Sequence, residues 1–266
     1  MPRIYLPITH ILNNRILITD EKARYLTSVL RCRKGDGLII FAGEGNCLRT
    51  EILKADRREV IAEVIERFPC DTESPLSITL VQGLLKGKKM DIVVQKTIEL
   101  GVKEIIPLIT ERSQLRETRK IARWRKIAEE ASRQSGRSVI PVVHEPTEFK
   151  EFFSKQTSIN YLPQSPLTMG GIKEESPLSK GGIKGVGFIF YEEGSMKISD
   201  AVLKIRIHDL PFFIFIGPEG GFTKGEIALA EKKGLIVISL GKRILRAETA
   251  AISAVTLLQF LLGDMG

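Results

Sequence analysis

Two patterns of apolar and polar positions divide the chain. Over the first 70 residues, short apolar runs at 16–18, 37–41, 49–53 and 60–65 alternate with turn formers, the arrangement of a small β-rich domain. One helix interrupts them, over 21–30, with Asp20 as its expected cap. The basic group Arg31, Arg33 and Lys34 then runs into Gly35-Asp36-Gly37, a turn signal, and Gly43-Glu44-Gly45 reads as a hairpin turn. Residues 69–75, bounded by prolines, read as a linker. Beyond it, apolar strands at 78–84, 104–108, 139–143, 187–191, 212–216 and 235–240 alternate with helices at 89–100, 121–135, 148–154, 227–233 and 248–262. Such alternation predicts a parallel sheet with crossover helices, so the expected class is α/β: a β-barrel over 1–70 and an α/β domain over 77–266.

Ser165-Pro166-Leu167 and Gly170-Gly171-Ile172-Lys173 return almost unchanged as Ser176-Pro177-Leu178 and Gly181-Gly182-Ile183-Lys184. Two copies are too few for a solenoid, and their Gly/Pro/Ser composition predicts a flexible insertion at about 160–186 with no catalytic part.

The strongest local signal lies near the C-terminus. The apolar run Phe212-Phe213-Ile214-Phe215-Ile216 breaks into Gly217-Pro218-Glu219-Gly220-Gly221-Phe222, and Thr223 with Glu226 makes a capping box for the next helix. A second strand breaks into Leu240-Gly241-Lys242-Arg243-Ile244-Leu245-Arg246 ahead of Glu248 and an Ala/Leu-rich helix. Two glycine-bearing loops at the carboxyl edge of a parallel sheet predict a small-molecule site. Common nucleotide motifs do not fit: no lysine and hydroxyl follow Gly221 as a phosphate loop requires, and the glycines come too late in the domain for a dinucleotide fingerprint.

Composition narrows the class. The chain has no apolar stretch of membrane-span length, and its three cysteines and three histidines are scattered, so neither a metal site nor a disulfide framework is indicated. A cytoplasmic location without membrane attachment follows as the expectation. The net charge of +8 concentrates between Arg112 and Arg137, where nine basic residues face three acidic ones. That segment reads either as a solvated helix face or as a phosphate-facing surface, and nucleic acid is the favoured partner.

Several stretches together resemble the RsmE family of ribosomal RNA small subunit methyltransferases, in the knotted SPOUT superfamily. Met1-Pro2-Arg3-Ile4-Tyr5, residues 26–31 with Gly35-Asp36, residues 88–107 and both glycine loops carry the likeness. Residues 130–138 are similar to a further family segment, except that Ser132-Arg133 replaces its usual residues. The resemblance implies a PUA-like barrel, a SPOUT domain with a C-terminal trefoil knot, S-adenosylmethionine as methyl donor and a homodimer. It also implies N3 methylation of a uridine in 16S ribosomal RNA, free or in the assembled small subunit. Carried over by position, Ile216, Gly217, Pro218, Gly220 and Gly221 would line one wall of the donor pocket. Leu240, Gly241, Ile244, Leu245 and Arg246 would line the other.

Uracil N3 must lose a proton as it accepts a methyl group, so a base and a cation are wanted together. Arg246 is the candidate cation, unless it contacts a phosphate. Glu248 or Glu219 is the candidate proton acceptor, the alternatives being that Glu248 caps the last helix and Glu219 holds its loop. Arg3, Arg31, Arg33, Arg112, Arg116 and Arg137 are candidate RNA contacts. Two other classes stay open: a methyltransferase acting on transfer RNA or a ribose 2′-hydroxyl, and a non-catalytic RNA-binding module, which would leave the two loops unexplained.

Overall fold

A computed structural model of the chain describes residues 1–6, 11–12, 14–41, 46–69, 72–155, 185–194, 196–203 and 210–266. Both copies of the repeated segment (165–184) and the Gly43-Glu44-Gly45 turn lie outside the described residues. The chain divides into two units, Met1–Glu73 with Glu129–Ile140, and Ser74–Ala128 with Pro141–Gly266.

In the first unit, β1 (Arg3–Tyr5), β2 (Ile11–Leu12), β3 (Arg15–Thr19), β4 (Gly37–Phe41), β5 (Asn46–Ala55) and β6 (Glu59–Pro69) form one sheet. Its order is β1-β4-β5-β6-β3-β2, and every pairing is antiparallel except that of β1 with β4. The period-2 pattern explains which face is buried: Ile16 and Ile18 point into a core with Leu38, Ile40, Ile52 and Val60, while Arg15 and Leu17 are exposed. Helix α1 (Asp20–Arg24) continues as a π-helix over Tyr25–Val29. Its cap corrects an expectation. Thr19, not Asp20, occupies the N-cap position, and the Asp20 carboxylate is engaged by the Thr19 hydroxyl, which donates to it at 2.9 Å. Cys32 is a buried free thiol, whereas Cys47 is disulfide-bonded, a bond that the scattered cysteines of the sequence did not indicate.

The second unit holds β7 (Ile78–Gly83), α2 (Lys89–Glu99), β8 (Glu104–Ile109), the start of α3 (Ile121–Ser135), β9 (Val142–Val143), β10 (Thr147–Glu148) and α4 (Phe149–Lys155). It continues with β11 (Val186–Phe190), β12 (Met196–Lys197), α5 (Ile198–Leu203), β13 (Phe212–Ile216), α6 (Lys224–Lys232), β14 (Ile236–Ser239) and α7 (Ala247–Leu262). The strands form an all-parallel sheet in the order β10-β8-β7-β13-β11-β14-β12, with β9 beside β8. β7, β11 and β13 are buried at every position, as expected of parallel strands covered on both faces. A buried amide fixes the last helix: Gln259 accepts from the Ser74 hydroxyl and donates to the Leu100 carbonyl, each at 2.8 Å. Among the described residues no helix is long and apolar enough to cross a membrane, and no cluster of metal-ligating side chains occurs.

Candidate active site

The strand order places β13, β11 and β14 side by side, so the loops leaving their carboxyl ends converge. Between them lies a cavity of about 710 Å³. Ile216, Gly217, Pro218, Glu219, Gly220 and Gly221 line one wall. Leu240, Gly241, Ile244, Leu245, Arg246 and Glu248 line the other. A third side, which the sequence pattern did not reveal, comes from Phe190, Tyr191 and Glu192 at the end of β11, and Lys89, Arg243 and Ser239 also border the space. Only the neighbour order in the sheet brings β11 between the other two strands, and that order is not a local property of sequence.

The first wall is fastened from several directions. Beneath it, the buried amide of Gln82 donates to the Gly217 carbonyl at 3.3 Å, and Phe222 plugs into the core against Phe149. At its far end, the predicted capping box is present: Glu226 N–H donates to Thr223 Oγ1 at 3.2 Å and Thr223 N–H donates to Glu226 Oε2 at 2.8 Å. The second oxygen of Glu226 accepts from the Glu111 N–H at 2.9 Å. Side-chain-free backbone is required here: a Cβ on Gly83 would lie 2.4 Å from the Pro218 nitrogen, and Gly221 turns the chain with φ +67°.

Glu219 belongs to this framework. Its carboxylate accepts from the Lys86 N–H at 3.1 Å and from Lys89 Nζ at 2.9 Å. Burial pushes its pKa up, but the hydrogen bonds from Lys89, its own N–H and Lys86 outweigh that and hold it below the ordinary carboxylate range. A carboxylate so engaged is a poor proton acceptor and a good loop tether.

The second wall is loosely held. Ser239 Oγ accepts from the Gly241 N–H and donates to the Gly241 carbonyl, both at 3.2 Å, while Ile244 is 83% exposed. Arg246 is exposed at the N-cap of α7, and its guanidinium has no hydrogen-bond or ion-pair partner among the described residues. Glu248, in the first turn, keeps Oε2 buried and unpartnered. Helix capping therefore does not account for that oxygen.

The family model described as an RNA methyltransferase domain matches residues 72–259, and one described as an RNA methyltransferase PUA domain matches 18–65. The chain is 33% identical to the ribosomal RNA small subunit methyltransferase E of Buchnera aphidicola, over 99% of this chain and 95% of that protein. The chain belongs to the ribosomal RNA small subunit methyltransferase E family.

Two solved structures of similar fold hold S-adenosylmethionine. The methyltransferase E of Neisseria gonorrhoeae bound to S-adenosyl methionine matches with a TM-score of 0.82 at 32% identity, covering all of both chains. A Legionella pneumophila protein in complex with SAM matches at 0.79 with 30% identity over 98% of each chain.

The structure sorts the six arginines that the sequence offers as candidate RNA contacts. Arg31 and Arg33 are exposed, the former with a left-handed φ of +55°. Arg3 is half-buried, with Nη2 3.7 Å from Cys47 Sγ and Nε buried without a partner. Arg116 is exposed and donates to the Glu111 carbonyl at 3.1 Å. Arg112 donates to the Gly220 and Phe222 carbonyls at 3.0 and 3.3 Å. Arg137 corrects the expectation: it is 2% exposed and paired with Glu73 at 2.6 Å, so it does not present its charge to a phosphate. Burial raises the Glu73 pKa, yet the Arg137 guanidinium and the N–H groups of Val139 and Ser138 bring it below the ordinary range.

Proposed function

We propose that this chain transfers a methyl group from S-adenosylmethionine to N3 of a uridine in 16S ribosomal RNA. The observation that carries the reading is the cavity at the ends of three adjacent parallel strands, lined by both glycine loops of a chain in the methyltransferase E family. Its volume suits a nucleoside-sized ligand, and the glycine wall lets backbone groups approach one closely. The bound donor supplies an electrophilic methyl group on a sulfonium. Residues at 216–221 and 240–246 would hold it, largely through backbone and apolar contact.

The chain's own groups supply positioning and charge. Arg246, exposed and unengaged among the described residues, stabilises the negative charge that the uracil carbonyl oxygens gain when N3 loses its proton. Glu248, with one carboxylate oxygen buried and unpartnered beside the cavity, accepts that proton. Glu219 tethers its loop. Arg31, Arg33, Arg3 and Arg116 contact RNA phosphates on the two domains proposed at 1–70 and 77–266.

The remaining expectations complete this reading. They comprise a PUA-like barrel, a trefoil knot in the C-terminal segment, a cytoplasmic location and a homodimer. Exposed Phe260, Leu261 and Met265 at the end of α7 support the dimer. Mass spectrometry of ribosomal RNA from a strain lacking the gene tests the function. Loss of one N3-methyluridine, restored by the wild-type gene but not by the Arg246→Ala form, is expected; its retention in the deletion strain overturns the assignment.

A further inference from the structure

The basic segment from Arg112 to Arg137 is where the sequence places RNA contacts, yet most of its cations are occupied within their own units. Arg123 pairs with Asp91, Arg125 with Glu145, and Lys120 donates to the Gly87 carbonyl. Arg133 bonds the Tyr25 hydroxyl and stacks on its ring, and Arg137 is buried against Glu73. Arg112 stands apart because its partners are main-chain carbonyls of the glycine loop itself. One guanidinium nitrogen bridges Gly220 O and Phe222 O, the two carbonyls flanking the left-handed turn at Gly221.

The geometry points to Arg112 as a positioning residue for the methyl-donor pocket, and this rests on the reading of that pocket given above. Three details favour it. The two accepting carbonyls lie on either side of the one residue whose φ of +67° sets the loop's turn, so fixing both fixes the turn. The approach is close enough that a Cβ on Gly220 would meet the Arg112 Cβ at 3.1 Å, which ties the glycine at 220 to the arginine at 112. Finally, the neighbouring Glu111 N–H is held by the buried Glu226, so the arginine reaches the loop from an anchored backbone. The bridging guanidinium nitrogen carries two N–H groups, one for each carbonyl, and is held at the end of a planar, permanently charged fork. The wall that faces the donor is thereby preformed rather than assembled on binding.

Calorimetric titration of S-adenosylmethionine into wild-type, Arg112→Lys and Arg112→Ala proteins tests this, alongside their thermal midpoints and the salt dependence of RNA binding. We expect donor Kd to rise about tenfold in R112A and by a smaller factor in R112K, with RNA affinity, its salt slope and the thermal midpoint near wild type. Unchanged donor affinity with weaker RNA binding and a salt slope lower by about one would overturn the proposal and make Arg112 a phosphate contact. A lowered thermal midpoint with parallel loss of donor and RNA binding would overturn it in favour of a general structural role. If the wild-type protein itself fails to bind the donor, the pocket reading falls first; if wild type and R112A bind equally, the positioning role alone falls.

Discussion

The two walls of the cavity are built to opposite specifications. The 217–222 wall is held by Gln82 from below, Arg112 from outside, Lys86 and Lys89 through Glu219, and a buried phenylalanine, Phe222. The 240–246 wall has one serine contact to Gly241, and it presents an exposed isoleucine and exposed cations. The difference suggests a division of labour. In the function proposed, the preformed wall would meet the donor with little ordering cost, while the open wall, which carries Arg246, would adjust when RNA arrives.

The sharpest way to break this contrast is to displace the fixed wall from beneath. Gly83→Ala would force a Cβ to within 2.4 Å of the Pro218 nitrogen, a backbone atom that no side-chain rotation can clear. Thermal or urea denaturation is expected to show a loss of about 3 kcal/mol. Donor binding by calorimetry should fall below detection. A mild effect on both would mean that the wall is softer than its contacts imply. The open wall should behave otherwise: Ile244→Ser, at an 83% exposed position, is expected to leave stability within about 0.5 kcal/mol while weakening donor affinity several-fold. A large stability loss there would erase the distinction.

The smallest effect concerns pH. The Glu219 carboxyl titrates below its ordinary value of 4.5, so the folded state holds its charged form more tightly than the unfolded state does. Its contribution is complete above that ordinary value and is lost as pH falls through the depressed one. Donor affinity should therefore decline slightly under acid conditions, and Glu219→Gln should remove that decline. An unchanged acid profile in the variant would show that the tether is not electrostatic.

What could be read from the sequence follows the range of the interactions. The glycine loops, the capping box at Thr223 and Glu226, and the strands at 78–84 and 212–216 are local patterns, and the structure contains them. Arg137 was misread because its partner, Glu73, is 64 residues away, so a charge that is satisfied internally looks from sequence like a surface charge. The contacts of Arg112 with Gly220 and Phe222 leave no sequence signal, since backbone carbonyls as partners give no complementary residue to find. Asp20 has the composition of a cap, but Thr19 takes the cap position and the Asp20 carboxylate accepts from the Thr19 hydroxyl, a neighbour contact that composition does not reveal. The third side of the cavity, at Phe190 and Glu192, depends on β11 lying between β13 and β14.

Amide hydrogen exchange of the free protein, and of the protein saturated with S-adenosylmethionine, distinguishes a fixed wall from an open one. Amides at 217–222 are expected to be well protected without ligand, and added donor is expected to produce its largest new protection at 240–246. Protection appearing chiefly outside both loops would contradict the site. Equal exchange of the two loops in the free protein would contradict the fixed and open walls.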